Sequence, residues 1–485
     1  MNWSVVSRNV GYALLVDALF MLLAMIIAIF DPADTALGPL AISFLLTFIV
    51  GVFPFIFVKK TAAISLREGY VIIFFSWILS FIFGMLPYAL WGGPFTVINA
   101  WFESVSGFTT TGASILSEVE SLPKALILWR SSTHFIGGLG VVVFLLLLIP
   151  GASQMKLRLT NIELSSLSKQ DYQTRANQTV YIFTYVYLGI FVASFVSYLL
   201  AGMNAFDAIN HAFSVSATGG FSSRNQSIAS FNSVPVSIVT MVFMFLSSIH
   251  FGIIWLAIVR RSLKPLKNEV LAFYAGFLVI FTVLSAFSLK IHGVSETWGK
   301  AFLDGGFQIL SYASTSGLAT ADNATFPTFV VMLMMIGGTI CGMAGSTTGG
   351  LKSDRVLLLL KGVRARLHSS LHPSSITEIK ISGRNIGTED IYPHAIYIGL
   401  FIFIWTVSII LTALSGVDGH QAMMATLSSI TNVGPSVGEL GTFGNFGAQP
   451  ALAKFIYTVD MFLGRVEIYP MLAVGFLLFA KERRR

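Results

Sequence analysis

Apolar stretches of about twenty residues recur from one end of this 485-residue chain to the other, and they decide its solvent before any motif is considered. Tyr12 to Phe30, Leu40 to Val58, Tyr70 to Trp91 and Val180 to Leu200 are examples. With 55% hydrophobic and 11% charged residues and a mean hydropathy of +0.78, the chain carries more apolar surface than one soluble core can hide. Lipid must be the solvent, and no compact extramembrane domain is expected. The first stretch has no small-residue cleavage site before the second begins, so it reads as a retained helix rather than a signal peptide. Cys341 is the only cysteine, which excludes an intrachain disulfide and a multi-cysteine metal site, and suits a small apolar filler.

The net charge of +7 is a topology signal, and no nucleic-acid partner is expected from it. Basic residues cluster in alternate connections: Lys59, Lys60 and Arg67; Lys156, Arg158, Lys169 and Arg175; Arg260, Arg261, Lys264 and Lys267; Lys352 through Arg384; and Lys481 to Arg485. These segments should be cytoplasmic by the positive-inside rule. The intervening loops carry mostly acids, among them Glu103, Asp207, Asp304 and Asp418. An even number of spans follows, with both termini inside.

The apolar spans fall at 5–30, 37–58, 69–92, 124–149, 178–202, 232–259, 269–291, 326–362, 388–415 and 450–480. Four outer connections contain short, mildly apolar segments: 99–114, 204–222, 298–320 and 421–436. They are too short to span and read as re-entrant half-helices followed by irregular backbone, which survives at membrane depth only where it is buried or lines an aqueous cavity. The half-helices end in FTTTGAS, SATGGFS, STSGLAT and TNVGPS. Superposing Gly112, Gly219, Gly317 and Gly434 puts Thr109, Ser216, Ser314 and Thr431 three residues earlier, with 98 to 117 residues between successive glycines. Such self-similarity decides architecture. The predicted fold is an all-α integral membrane protein of about ten transmembrane helices with four re-entrant pore loops around a fourfold pseudo-symmetric, K+-channel-like core. Its parts are a two-helix extension (1–60) and four helix–pore loop–helix repeats at 61–151, 152–262, 263–384 and 385–485.

A cation stripped of water needs replacement oxygens converging on one axis. Glycine permits the positive φ that turns successive carbonyls toward that axis. Four loops around one axis would supply rings of backbone oxygens from Thr110, Thr111 and Gly112; Ala217, Thr218 and Gly219; Thr315, Ser316 and Gly317; and Asn432, Val433 and Gly434. The half-helix C-termini, each carrying roughly half a negative charge, favour a cation there. Taken singly, each glycine also fits a tight turn or close helix packing. Asp207, Asp304 and Asp418 fit either a cation-concentrating mouth or the N-termini of half-helices.

Arg465 sits near the middle of the last apolar segment, where a charge costs about 2.5 to 3.5 kcal/mol if it faces lipid. It should face the pore beneath the filter, or else an ion-pair partner such as Asp460 or Glu467. The eighth span is interrupted by GGTICGMAGSTTGGLK (337–352), which no ordinary helix interior carries at about 1 kcal/mol per glycine. It should break there and place a flexible obstruction in the conduction path, formed by Gly345, Ser346, Thr347, Thr348, Gly349, Gly350 and Lys352. The stretch is not a phosphate-binding loop, because Leu351 stands where a lysine should follow the glycine and no strand precedes it. His134 and His250 fit a proton relay or hydrogen-bonded packing.

The loops TTTGAS, ATGGFS, TSGLAT and NVGPS, the broken helix GSTTGGLK and the central Arg465 together resemble the TrkH/TrkG/KtrB/HKT superfamily of K+ transporters, over essentially the whole chain. The two extra N-terminal helices look like TrkH rather than KtrB. The resemblance implies K+ uptake across a bacterial inner membrane, with K+ as transported ion and no further cofactor. It assigns the selectivity filter to Gly112, Gly219, Gly317 and Gly434, the intramembrane gate to the broken helix, and a partnership with that gate to Arg465. It also implies a homodimer with one pore per subunit, assembled with a cytosolic TrkA-type nucleotide-binding ring. The basic inner segments are available for that ring or for lipid headgroups. One filter glycine per loop implies looser K+/Na+ discrimination than in tetrameric channels with TVGYG. The alternative is a K+/H+ or K+/Na+ symporter using the same pore. An enzyme is not expected, since no paired carboxylates, activated nucleophile or metal cluster shares a spacing.

Overall fold

A computed structural model of the protein describes residues 1–58, 65–138, 140, 176–372, 379–381 and 384–479. Lys59, Lys60, the basic segment from Lys156 to Arg175, and Lys481 to Arg485 lie outside the described residues, as does most of the predicted span beyond Gly138. The chain is predominantly helical, and the helices divide by environment. Trp3–Phe30, Leu37–Phe57, Arg67–Trp91, Val180–Leu200, Glu269–Ile291 and Ile391–Leu414 are long and apolar enough to cross a bilayer. Their outward side chains, among them Ile49, Phe53, Ile280 and Phe403, are exposed, as an apolar solvent permits.

Inside this wall lie four short helices, Val97–Phe108, Ala205–Ala217, Trp298–Ala313 and Gly419–Thr431, called here the first to fourth pore helices. At 12 to 16 residues they reach about 18 to 24 Å, less than a bilayer core. Each begins at a side-chain cap: Thr96, Asn204, Thr297 and Asp418 accept from backbone amides of the first turn. Most of their side chains are buried, including Glu103, Asn210, His211, Gln308 and Ser428, and exposure is confined mainly to their first turns, as at Val97 and Trp298.

The long helices following the second, third and fourth pore loops are each broken in two. The 232–259 span is two helices, Val234–Ser248 and Phe251–Val259, bent by 101°. The 326–362 span breaks as expected, into Thr328–Ile340 and Ser353–Leu371, the latter running further than predicted. The 450–480 span breaks at Glu467, whose φ is +67°, into Ala451–Val466 and Ile468–Phe479. The 69–92 span is likewise divided, into Leu66–Gly84 and Leu86–Trp91. Beyond the Ser353–Leu371 helix, Ile379–Ile381 pairs antiparallel with Arg384–Ile386, a small hairpin the sequence reading did not anticipate.

The N-terminal pair packs as a hairpin against the first repeat. Gly11 and Gly51 let its backbones meet, since an added Cβ on Gly11 would lie 2.7 Å from Gly51 O. Asp17, wholly buried, accepts from Ser80 Oγ at 2.7 Å on Leu66–Gly84, and Asn2 N donates to Glu68 at 2.9 Å. The extension is therefore a fixed part of the wall.

Candidate functional site

The ends of the four pore helices share one backbone course, and it sets their register. Thr110, Thr218, Thr315 and Asn432 are left-handed, with φ of 53°, 54°, 53° and 57°. Two residues later Gly112, Gly220, Gly317 and Gly434 take φ of 81°, 87°, 65° and 94°. Between them, the amides of Thr111, Gly219, Ser316 and Val433 donate back to the carbonyls of Ser106, Ser214, Ser311 and Ser428 at 2.8 to 3.0 Å. The repeated unit is thus Ser-x-x-x-(Thr/Asn)-x-Gly. In the second repeat the equivalent glycine is Gly220, not Gly219, and the loop triplet is Thr218, Gly219 and Gly220. Ala217 ends the pore helix instead of standing in the loop. The earlier superposition followed S/T-x-x-G, which Ser216 and Gly219 satisfy by coincidence. The serine four residues before each left-handed position is the signal that separates the two registers.

The loops meet in cyclic order. An added Cβ on Gly112 would lie 2.2 Å from Gly219 O, on Gly220 2.5 Å from Ser316 O, on Gly317 2.4 Å from Val433 O, and on Gly434 2.2 Å from Thr111 O. Each glycine thus faces the next repeat's backbone, and the fourth closes on the first. Only glycine fits there, for space and for positive φ together. Gly112, Gly220, Gly317 and Gly434 line one recess, with Ser222 and Pro435 on its wall. The carbonyl oxygens of Thr110, Thr111, Thr218, Thr315, Ser316, Asn432 and Val433 accept no hydrogen bond from the described residues. Buried carbonyls are ordinarily paired, so a ring of unpaired ones leaves oxygens that can take a cation.

The first three pore helices also prop the chain beyond their loops, each with a different side chain at the same position, where the fourth carries Ala425. Glu103 accepts from Ser114 Oγ at 2.9 Å and from the Ile115 amide at 3.0 Å. His211 meets Ser222 Oγ at 2.9 Å, and Gln308 donates to Ala321 O at 2.9 Å. Glu103 is further bound by Arg130 at 2.6 Å, both side chains being buried. Arg130 lies 3.4 Å over the Phe221 ring and donates to Ser222 O, so this pair ties the first loop to the second. The sequence reading missed Arg130; a basic residue in an apolar span was the available signal.

Beneath the ring crosses the segment 341–352. The Thr347 carbonyl accepts from Thr218 Oγ1 at 3.0 Å, and the Gly349 amide donates to Thr315 Oγ1 at 3.0 Å, so the segment touches the loops directly. Phe251 N donates to Gly345 O and Met343 N to Ser248 O, which seats the segment in the bend of the second repeat's broken helix. Ser346 bonds Met343 O and Thr348 Oγ1, while Gly350, at φ 65°, packs on the Cys341 thiol. Lys352 turns back onto the Thr348 carbonyl. Arg465 reaches the Thr347 carbonyl and donates to Gly137 O and Gly138 O, each at 2.8 Å. It lies below the loops, spanning from the fourth repeat to the first. Of its proposed ion-pair partners, Asp460 is engaged by Ser408 Oγ at 2.6 Å and Glu467 by Arg355 at 2.8 Å.

The histidines and outer acids resolve by their partners. His134 accepts from the Phe221 amide at 3.1 Å, bonds Gly107 O at 2.7 Å and stacks on Phe221, which is packing behind the second loop. His250 caps Phe251–Val259 by accepting from the Gly252 amide. Asp418 caps the fourth pore helix, and Asp207 lies in the first turn of the second, as the half-helix reading expects. Burial pushes the Asp207 carboxyl up, but hydrogen bonds from Ser223, Arg224 and Asn204 outweigh it and hold the group below its ordinary pKa. Asp304 lies beyond the first turn of its helix and binds Thr320 at 3.0 Å; burial raises its pKa against the pull of that bond and of Lys300.

Residues 40–482 match the model of the TrkH family, described as a cation transport protein. The chain is 32% identical over 479 residues to the Trk system potassium uptake protein TrkG of Escherichia coli (strain K12), covering 96% of both. It is 30% identical over 427 residues to the Trk system potassium uptake protein TrkH of the same strain, covering 87% of this chain and 88% of that one. Its fold matches the crystal structure of the potassium transporter TrkH from Vibrio parahaemolyticus with a TM-score of 0.89 at 27% identity, over 99% of this chain and 100% of the other.

Proposed function

The chain belongs to the TrkH family of cation transport proteins, and from that premise we propose that it takes up K+ through one pore whose narrowest part is the ring of Thr110–Gly112, Thr218–Gly220, Thr315–Gly317 and Asn432–Gly434. The observation that carries the reading is the closed cycle of glycine-to-carbonyl contacts, which sets four loops about one axis. K+ entering the outer recess exchanges its water for backbone oxygens. The four half-helix C-termini add negative potential at the same place. Segment 341–352 is the gate, and Arg465 its clamp: three carbonyls hold a positive charge just below the ring, where it repels an ion about to leave inward.

Uptake of radioactive Rb+ into proteoliposomes tests this directly. Uptake should follow the K+ gradient, be displaced by unlabelled K+ better than by Na+, and be unchanged by an imposed pH gradient. No uptake, or uptake indifferent to K+, sinks the proposal, and a response to pH transfers it to the symport reading. The protein works in a bacterial inner membrane as a homodimer on a cytosolic nucleotide-binding ring. Support for that docking side is the Ser353–Leu371 helix, which presents Arg364 and Arg366 exposed at its end. Neutralising both should weaken co-purification with the ring protein.

A further inference from the structure

The left-handed residues at the inner edge of the ring differ in what their side chains do. Thr218 Oγ1 shares its one proton between Ala217 O at 2.7 Å and the Thr347 carbonyl at 3.0 Å, and Thr315 Oγ1 accepts from the Gly349 amide, Thr347 and Gly349 both being on segment 341–352. Asn432 is turned aside, its amide donating to Thr111 Oγ1 at 3.0 Å and to Met461 O at 2.8 Å. Thr110, which shares their backbone conformation, is 1% exposed, and its buried Oγ1 has no hydrogen-bond partner among the described residues. A buried hydroxyl left unmatched in a ring where two equivalents are matched needs an explanation.

On the reading that these loops conduct K+, we infer that the hydroxyls of Thr110, Thr218 and Thr315 form an innermost K+ site, and that segment 341–352 closes by taking two of those three ligands. The three residues hold the same position of their loops, with φ of 53°, 54° and 53°, and the hydroxyls of two of them reach the same segment below. A threonine hydroxyl offers lone pairs to a cation while its proton turns elsewhere. It cannot donate to Thr347 O and present an unhindered face to an ion on the same side. The Gly349 N–H likewise occupies Thr315 Oγ1 and directs a positive dipole toward it. K+ at this level and the closed segment therefore exclude one another. An ion in the filter favours opening by the difference in its affinity for the two arrangements. This couples filter occupancy to the gate through two hydrogen bonds, with no long-range displacement.

Cys341 provides a native reporter. It is buried, is the only thiol, and is bound to the same segment through Gly349 O at 2.8 Å. The test follows maleimide modification of Cys341 in the purified full-length protein in liposomes, with KCl replaced by NaCl at constant ionic strength. The wild type should label about tenfold faster in saturating K+ than in Na+, the scale of two hydrogen bonds released. Thr218→Val should label fast in both salts, and Thr218→Ser, which keeps the hydroxyl, as wild type. Thr110→Val should label as slowly as wild type in Na+ but require several-fold more K+ for acceleration. Labelling of the wild type that ignores K+, wild-type behaviour of Thr110→Val or Thr218→Val, or equal effects of Thr218→Ser and Thr218→Val would each overturn the inference. Rb+ uptake by the same liposomes separates the two levels: with uptake intact only the inference falls, and without it the pore reading falls too.

Discussion

Two stretches of nearly the same composition lie one above the other in this protein, and they are opposites chemically. FTTTGAS, at 108–114, and GSTTGG, at 345–350, are both short runs of threonine, serine and glycine with positive-φ positions. In the upper stretch the carbonyls of Thr110 and Thr111 are left without hydrogen bonds from the described residues. In the lower one four of the six carbonyls are consumed: Gly345 O by the Phe251 amide, Thr347 O by Thr218 and Arg465, Thr348 O by Lys352, and Gly349 O by Cys341. Composition makes either stretch a source of oxygens. The cations and amides placed beside it determine whether those oxygens remain for an ion.

The comparison breaks most severely at the upper stretch. Gly112→Ser puts a side chain at φ 81° and 2.2 Å from Gly219 O, combining backbone strain with overpacking, so K+ over Na+ discrimination in Rb+ uptake should fall by about a hundredfold while the protein still purifies as folded. Unchanged discrimination would remove that residue from the filter. Next is the lower stretch's main clamp. Arg465→Ala releases carbonyls of Thr347, Gly137 and Gly138, and basal Rb+ flux should rise at least about tenfold, the effect of losing even one charge-assisted bond of ~1.5 kcal/mol. Loss of folded protein instead of higher flux would make Arg465 a structural tie. Lys352→Met removes the hold on Thr348 alone and should raise flux about threefold. A reduction would show Lys352 to be a path residue rather than a fastener.

The smallest effect is at the rim, and it is one of pH. Asp207 has a folded pKa depressed below its unfolded value, so its contribution to stability is present above the unfolded pKa and is lost as pH falls through the folded one. Thermal unfolding of the wild type and Asp207→Asn should differ at pH 6, and the gap should close as pH is lowered below about 4. A gap constant over that range would mean that Asp207 acts through packing rather than charge.

Much of this arrangement was legible in the chain, for reasons visible in particular residues. Half-helices too short to span and a glycine-rich break at 337–352 leave marks in composition that no packing can disguise. Register left a fainter mark. Two adjacent glycines in the second repeat offered two alignments, and only the serine at 214, matched by Ser106, Ser311 and Ser428, separates them. The bend at Ile249 left little, since Ser248, Ile249 and His250 include no glycine or proline. It is imposed from outside, by Met343 N and the Thr347 hydroxyl bonding Ser248 O and Ser247 O, which a linear reading does not contain. The Glu103–Arg130 pair was hidden likewise, since 27 residues separate its members and burial gives the pair its meaning.

The cyclic meeting of glycines has an implication for how such a conduit changes over generations. A ring assembled from identical subunits repeats every substitution four times, whereas here each quadrant is encoded separately. Asn432 shows this already, standing where the other three quadrants carry threonine. One codon can therefore adjust a single wall of the passage while the opposite walls stay as they were, which allows finer grading of ion preference than a symmetric assembly permits.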